Sequence, residues 1–218
     1  MTATLTISSK NYSSWSLRGW LLAKFSGIEF VEHVASIDDH SVRAELLLLT
    51  SSIRVPRLEH NGVSVWDTLA IGEYLNEVCP GAGLLPSDVV VRAHCRSICG
   101  EMHSGFTALR AALPIDLRAR HTNFIIWSNA QADIDHVVSI WRNCLEKYKG
   151  PFLFGKKVCM ADAMYAPVVT RFLTYSVPLD DVCNAYCDTI MSQIFMQEWV
   201  TAALQEPEIL EDEFEIEF

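Results

Sequence analysis

Short polar side chains stand just before two predicted helices, at positions where they could hold an anionic group. Asn11, Ser13 and Ser14 precede the first of these helices. Asp67 and Thr68 stand at the start of the other. The amino end of a helix offers free N–H groups and attracts negative charge, so donors placed there can bind a carboxylate or a thiolate. The same residues are also good N-caps, and a cap stabilises a helix by about 1 kcal/mol without any ligand.

Residues 1–79 alternate between strand and helix patterns, which predicts a small mixed sheet covered by helices. The Asn61-Gly62 pair between two β-branched runs is typical of a tight hairpin turn. The predicted order is β-α-β-α-β-β-α. Its elements are a strand over Ala3–Ser8, a helix over Ser14–Phe25, a strand over Glu29–Ala35, a helix over Val42–Leu49, strands over Pro56–His60 and Val63–Trp66, and a helix over Thr68–Val78.

Strand patterns stop after residue 79, and apolar residues then recur at the three- and four-residue spacing of helices. We interpret residues 80–86 as a linker and residues 87–218 as an all-helical domain. Cys159 and Asp162 have the spacing of a capping box, in which Asp162 reaches back to the helix start, and Pro167 is expected to kink the same helix. The predicted helices are Val91–Leu109, Phe124–Leu145, Ala161–Tyr175 and Asp180–Ala203.

The composition is that of a compact globular protein, since 50% of the residues are hydrophobic and 20% are charged. The net charge is −10, but the tail from Glu206 to Phe218 carries seven of the 27 acidic residues and no basic ones. The rest of the chain offers no basic surface for nucleic acid, and the tail reads as a solvated terminus. Neither an apolar run of about 20 residues nor a signal-peptide pattern is present, so we expect a cytoplasmic protein without a membrane partner.

The seven cysteines do not indicate a disulfide framework, because their number is odd and the chain shows no secretory signal. Two pairs, Cys95 with Cys99 and Cys183 with Cys187, have a spacing of four that could suit a metal. No nearby histidine pair completes a four-ligand set, so we predict no metal and expect free cysteines packed in the core.

Several stretches, in the expected order along nearly the whole chain, resemble the glutathione S-transferase superfamily. Two of them match its glutathione-binding signature, with Asp67 where Glu is more usual and Thr68 where Ser is: Arg54-Val55-Pro56-Arg57-Leu58 and Trp66-Asp67-Thr68-Leu69-Ala70-Ile71. Others resemble a mainly bacterial branch and the superfamily's helix-start motif: Asn11-Tyr-Ser-Ser-Trp-Ser-Leu-Arg18, Glu101-Met-His-Ser-Gly-Phe106, Phe154-Gly155 and Ala161-Asp-Ala-Met-Tyr-Ala-Pro167. The resemblance implies a thioredoxin-like α/β N-terminal domain that binds glutathione, followed by an all-α domain.

The resemblance also assigns roles in glutathione binding. It implies a cis bond before Pro56, which would let the Val55 backbone pair with the cysteinyl unit of glutathione as an added strand. Thr68 would hold the γ-glutamyl carboxylate, Asp67 would receive the ammonium group, and Arg54 would face the glycyl carboxylate. The alternatives are that Pro56 simply opens an edge strand and that Arg54 is a solvated surface residue.

Activation of the thiol requires a donor near the sulfur. A free thiol has a pKa of about 8.5, and lowering it by about two units takes roughly 2.7 kcal/mol of thiolate stabilisation. One charge-assisted hydrogen bond at a helix start supplies about 1.5–3 kcal/mol. Ser14 is the favoured donor, Asn11 is second because the superfamily's activating serine aligns with it, and Ser13 is third; Ser13 or Ser14 as a plain N-cap is the alternative. No cysteine precedes Cys79, which argues against thiol–disulfide exchange as the main activity.

The resemblance places the pocket for a second substrate beside Trp15 and along the first helix after the linker. Met102, His103 and Phe106 are the candidates there, with the alternatives that His103 is structural and that Met102 and Phe106 are core residues. The implied function is conjugation of glutathione to small hydrophobic electrophiles, as in detoxification, by a homodimer. The alternatives are a maleylacetoacetate-like cis–trans isomerase, whose Ser-Ser-Cys segment is absent here, and a non-catalytic binder of glutathione or hydrophobic ligands.

Overall fold

A computed structural model describes residues 2–35 and 54–207 of the chain. In these residues the N-terminal part forms four strands, β1 Ala3–Ile7, β2 Phe30–Val34, β3 Arg57–His60 and β4 Val63–Trp66. They make one mixed sheet in the order β2-β1-β3-β4. Strand β1 pairs in parallel with β2 and antiparallel with β3, and β3 pairs antiparallel with β4. Asn61 and Gly62 both have positive φ, of 51° and 79°, and form the predicted hairpin turn.

Helices cover the sheet and build the second half of the chain, which gives the predicted architecture of a thioredoxin-like α/β domain followed by an all-α domain. The predicted helix Val42–Leu49 lies outside the described residues. The helices are α1 Ser14–Ser26, α2 Thr68–Val78, a short 3₁₀ turn Pro80–Ala82, α3 Val89–Ser104, α4 Thr107–Ala112, α5 Ser128–Tyr148, α6 Met160–Thr174, α7 Asp181–Met191 and α8 Ile194–Gln205.

Three predicted helices have different bounds in the structure. The helix predicted over Val91–Leu109 is broken at Gly105 and Phe106, and Phe106 has a left-handed backbone with φ of 59°. The helix predicted over Asp180–Ala203 is likewise two helices, α7 and α8, and α5 begins at Ser128 rather than Phe124. In both broken helices apolar residues continue at helical spacing on either side of the break, so periodicity alone predicted one helix.

Helix α1 lies at the centre of the molecule, where it packs against the sheet and against α6. Trp20 and Leu21 are fully buried, and α6 is buried almost all round. The side chain of Arg18 crosses this junction and donates from Nε to the carbonyl of Met164 at 2.9 Å. The close packing of α1 on Pro56 depends on glycine at position 19, because a Cβ there would stand 2.5 Å from Cγ of Pro56 and would displace it. Helix α1 therefore sets the position of the loop before β3.

The start of α6 has the predicted capping box. The carboxylate of Asp162 accepts hydrogen bonds from the backbone N–H of Cys159 at 2.8 Å and of Leu153 at 3.0 Å, and from the hydroxyl of Tyr186 at 3.2 Å. Burial raises the pKa of Asp162 to about 6, although these donors oppose the shift. Pro167 lies inside α6.

All seven cysteines are free thiols. Six are buried, and Cys79, which ends α2, is partly exposed. Burial raises the pKa of the Cys144 and Cys187 thiols to about 12, so these groups are poor nucleophiles. In the described part of the chain, no helix has the length and apolar character needed to cross a membrane.

Candidate active site

The turn between β1 and α1 carries the three predicted thiol donors, and the structure gives Ser13 the capping role. Ser13 is extended and its Oγ accepts a hydrogen bond from the backbone N–H of Ser16 at 3.2 Å. The Ser13 hydroxyl also donates to Oγ of Ser16 at 3.0 Å. Both interactions hold the first turn of α1 in place, so this hydroxyl is engaged within the chain.

Asn11 joins this turn to the helical half of the chain. Its side chain is fully buried, and Nδ2 donates to Oδ1 of Asp116 at 3.0 Å. Its Oδ1 accepts from the backbone N–H of Leu117 at 2.9 Å and of Arg118 at 3.2 Å. The amide therefore stabilises a contact between two distant segments of the sequence.

Ser14 is the first residue of α1 and has no exposed surface. Its Oγ lies 3.5 Å from Nη1 of Arg18, which can donate to it. Tyr12, between the predicted donors, is partly exposed and carries a phenolic hydroxyl. The resemblance predicted only Ser and Asn as thiol donors and so did not include Tyr12. The phenolic hydroxyl of Tyr12 can also donate a hydrogen bond, and it lies within the same four residues of the sequence.

The loop before β3 has the predicted backbone. The Val55–Pro56 peptide bond is cis, as predicted, and Pro56 is buried against Gly19. Arg54 is exposed and Val55 is partly exposed at the start of the loop.

Asp67 and Thr68 begin α2 in the predicted position. Asp67 has a φ of 78°, and its Oδ1 accepts from the backbone N–H of Leu69 at 2.8 Å and of Ala70 at 3.5 Å. Thr68 is 1% exposed, and its hydroxyl has no hydrogen-bond partner among residues 2–35 and 54–207. A buried hydroxyl without a partner is unfavourable, and a ligand that accepts from it would remove that cost.

His103 of α3 reaches across to Asp67. The imidazole Nε2 lies 3.0 Å from Oδ2 of Asp67. Burial by itself raises the pKa of the Asp67 carboxyl, but the hydrogen bond and charge of His103 and the two backbone N–H donors outweigh it, and the net pKa is lowered. The structure thus brings Asp67 of the sheet half into contact with His103 of the helical half. The resemblance had placed Asp67 in the glutathione site and His103 in the pocket for the second substrate.

Trp15 completes this group of side chains. Its ring meets the His103 ring edge-on, with 5.1 Å between centroids. The guanidinium carbon of Arg18 lies 4.4 Å from the Trp15 centroid, and that of Arg110 lies 5.0 Å from it. Arg110 also donates to the carbonyls of Met102 and His103 at the end of α3. The group therefore presents positive charge and one aromatic surface beside the start of α1.

Met102 and Phe106 lie in the hydrophobic core. Met102 has no exposed surface, and Phe106 is 7% exposed and stacks on His136 with 5.6 Å between ring centroids. Any effect of these two residues on a ligand would therefore pass through packing. A separate cavity of about 440 Å³ lies between the linker and α3, and none of the predicted site residues lines it.

The sequence is similar to proteins that use glutathione. A model of the glutathione S-transferase N-terminal domain matches residues 12–78. Maleylacetoacetate isomerase from Rattus norvegicus is 30% identical over 167 residues, which are 76% of this chain and 76% of that protein. A probable maleylacetoacetate isomerase from Caenorhabditis elegans is 24% identical over 156 residues, or 72% of each chain.

The fold is similar to that of solved glutathione transferases. A glutathione transferase homologue from Burkholderia with bound glutathione has a TM-score of 0.71 and 22% identity, covering 94% of this chain and 98% of that one. A maleylacetoacetate isomerase from Anaeromyxobacter dehalogenans with glutathione in its active site has a TM-score of 0.64 and 18% identity, covering 91% and 94%.

Proposed function

The chain belongs to the glutathione S-transferase superfamily, and from this membership we propose that it activates the glutathione thiol for addition to a small electrophilic double bond. The observation that carries the proposal is the Asp67–Thr68 start of α2, where an acid stands next to a buried hydroxyl that has no hydrogen-bond partner within residues 2–35 and 54–207. These groups match the ends and the middle of a γ-Glu-Cys-Gly tripeptide.

In the proposed complex the Val55 backbone pairs with the cysteinyl unit and Arg54 faces the glycyl carboxylate. The Thr68 hydroxyl donates to the γ-glutamyl carboxylate at the positive end of α2. Asp67 accepts from the γ-glutamyl ammonium, so that the ammonium and His103 compete for, or share, the same carboxylate. This arrangement directs the sulfur towards the start of α1.

The thiol is activated by the residues at that start. Ser14 remains the proposed donor from the sequence, and it has no exposed surface. Tyr12 is a further candidate, since its side chain is partly exposed and carries a hydroxyl. The N-terminal end of α1 favours the thiolate in either case.

Conjugation and isomerisation share their first step. The thiolate sulfur forms a bond to one carbon of a double bond conjugated to a carbonyl, and the electron pair moves to the carbonyl oxygen. The positive charge of Arg110 would stabilise that enolate. If the enolate carbon is protonated, a thioether results; if the former double bond rotates and the thiolate leaves, the trans alkene and free glutathione are recovered.

The finer function that we propose is cis–trans isomerisation, with conjugation as the second candidate. Isomerisation is supported by the names of the curated relatives, which are maleylacetoacetate isomerases. Conjugation is supported by the absence of the Ser-Ser-Cys segment that isomerases of this kind carry. We further propose that the protein acts as a cytoplasmic homodimer, on the resemblance alone.

Turnover of two substrates tests this proposal. Maleylacetone should be isomerised with glutathione recovered unchanged, and a generic aromatic halide should be conjugated more slowly. Asp67→Ala should lose activity with both, whereas Asp88→Ala, which removes an equivalent N-cap from α3, should keep it. Binding of glutathione without turnover of either substrate would favour the non-catalytic binder.

A further inference from the structure

The end of α8 holds the turn that carries the proposed thiol donors. Glu206, the residue after α8, points its carboxylate at residues 9–11. Its Oε1 accepts from the backbone N–H of Lys10 at 2.5 Å, and its Oε2 accepts from the backbone N–H of Asn11 at 3.1 Å and from the hydroxyl of Ser9 at 2.8 Å. Three donors from consecutive residues thus converge on one carboxylate.

This geometry is that of an anion site made by the backbone. Successive N–H groups in a turn form a concavity that binds negative charge. The Ser9 hydroxyl oxygen also accepts hydrogen bonds from the backbone N–H of Asn11 and of Tyr12, each at 3.1 Å. The hydroxyl therefore links the N–H groups of the turn to the Glu206 carboxylate. Since Glu206 fills the concavity, the shape of the turn depends on a carboxylate almost 200 positions away in the sequence.

A second set of contacts closes the arrangement into a ring. Arg118 donates to the carbonyls of Ala203 and Glu206 at the end of α8. The backbone N–H of Arg118 donates to Asn11, whose amide also holds Asp116. The turn, the loop around residues 116–118 and the end of α8 therefore hold one another through hydrogen bonds.

We propose that Glu206 is a positioning residue for the thiol-activating segment, residues 11–14, so that the C-terminal end of α8 sets the geometry of the active site. The assignment rests on the proposed function. Glu206 does not touch the sulfur; it fixes the backbone of Lys10 and Asn11, and with it the side chains that follow.

The test compares Glu206→Ala and Glu206→Gln with Glu198→Ala. Glu198 is the matched control, because its carboxylate, on α8, also makes a contact with the N-terminal half, an ion pair with Lys24 of α1 at 2.7 Å, away from the turn. The readouts are the pKa of bound glutathione from thiolate absorbance, kcat, glutathione affinity, and amide hydrogen exchange of residues 8–13.

Glu206→Ala should speed amide exchange in the turn, raise the thiol pKa by about one unit and lower kcat about tenfold. Glutathione affinity should stay within about twofold, because Glu206 contacts residues 9–11 and none of the proposed binding residues Val55, Asp67 and Thr68. Glu206→Gln, which keeps one acceptor oxygen, should lie between the wild type and Glu206→Ala, and Glu198→Ala should change only thermal stability.

Two results would overturn the assignment separately from the proposed function. Unchanged thiol pKa and kcat in both Glu206 variants, with glutathione bound normally, would reduce Glu206 to a structural contact and leave the proposed function intact. If the wild-type protein does not bind glutathione, the proposed function is wrong. The proposed role of Glu206 in activating the thiol is then wrong as well.

Discussion

At the scale of single residues, substitution of Thr68 distinguishes an effect on glutathione binding from an effect on folding. Its hydroxyl is buried and has no partner in the described residues, and such a group costs about 1–3 kcal/mol. Thr68→Val should therefore keep or raise the melting temperature while weakening glutathione binding about tenfold. Calorimetric titration and thermal unfolding measure the two effects. Thr189→Val, which removes an exposed hydroxyl that donates to Ala185, should leave affinity unchanged; equal affinities in all three proteins would contradict the assignment.

The thiol donor is also a single-residue question. Removing the donor should raise the pKa of bound glutathione by one to two units and lower kcat about 10- to 100-fold, since one pKa unit is about 1.4 kcal/mol. We expect this in Ser14→Ala, with glutathione affinity roughly kept. Thiolate absorbance against pH measures it, with Tyr12→Phe and Asn11→Ala in parallel. If only Tyr12→Phe raises the thiol pKa and lowers kcat, the donor is Tyr12, whose side chain is more exposed than that of Ser14.

At the scale of elements, the start of α6 should make stability depend on pH. The pKa of Asp162 is about 6 in the folded protein against an ordinary 3.8, so the folded state binds the proton more tightly. The stability from this group is fully present below 3.8 and is lost as pH rises through about 6, by up to about 3 kcal/mol. The free energy of unfolding of the wild type relative to Asp162→Asn should therefore shrink from pH 4 to pH 7.

Asp180→Asn is the control with the opposite sign. Asp180 caps α7, and the N–H of Cys183 and then the charge of Arg142 lower its pKa. Its stabilising contribution is present above its ordinary pKa and is lost as pH falls. A parallel pH dependence in the two variants would show that folding lowers the pKa of Asp162 instead of raising it, and no pH dependence from Asp162 would show an unshifted pKa.

Elements were also where sequence reasoning was strongest. The strands, the hairpin turn, α1, α2 and α6 follow from short-range signals, such as alternation, Asn-Gly and the capping box. The break at Phe106 does not, because a left-handed phenylalanine has no local signature and its ring packs on His136, 30 positions away. Tertiary packing determines the backbone at Phe106, and the periodicity of apolar residues carries no information about such packing.

At the scale of the whole molecule, the candidate site depends on contacts between the two halves of the chain. The sequence predicted Asp67 and His103 separately but contained nothing to show that they meet. The same holds for Asn11 with Asp116 and for the ring through Glu206, because each contact spans dozens to hundreds of residues. Contacts of this kind can be identified only from a structure or from an alignment of related sequences.

Association is the prediction that belongs to the whole molecule. The edge strand β4 exposes Val63 and Trp66, and the start of α3 exposes Val89 and Val90, apolar surface of the kind that a partner covers. Light scattering at micromolar concentration should give about twice 24.5 kDa. Trp66→Arg should shift the mass towards the monomer, whereas Val182→Arg, at an exposed valine of α7, should not; a monomeric wild type would contradict the proposal.

The burial of the cysteines has a practical consequence. Six thiols are shielded and only Cys79 is accessible, so a thiol-reactive dye should modify one site in the native protein and seven after denaturation. Mass spectrometry of the labelled peptide checks this, and rapid modification of a second thiol would contradict it. Cys79 follows the last residue of α2, between the sheet half and the helical half of the chain. A fluorophore there would report movement between the two halves without any engineered cysteine.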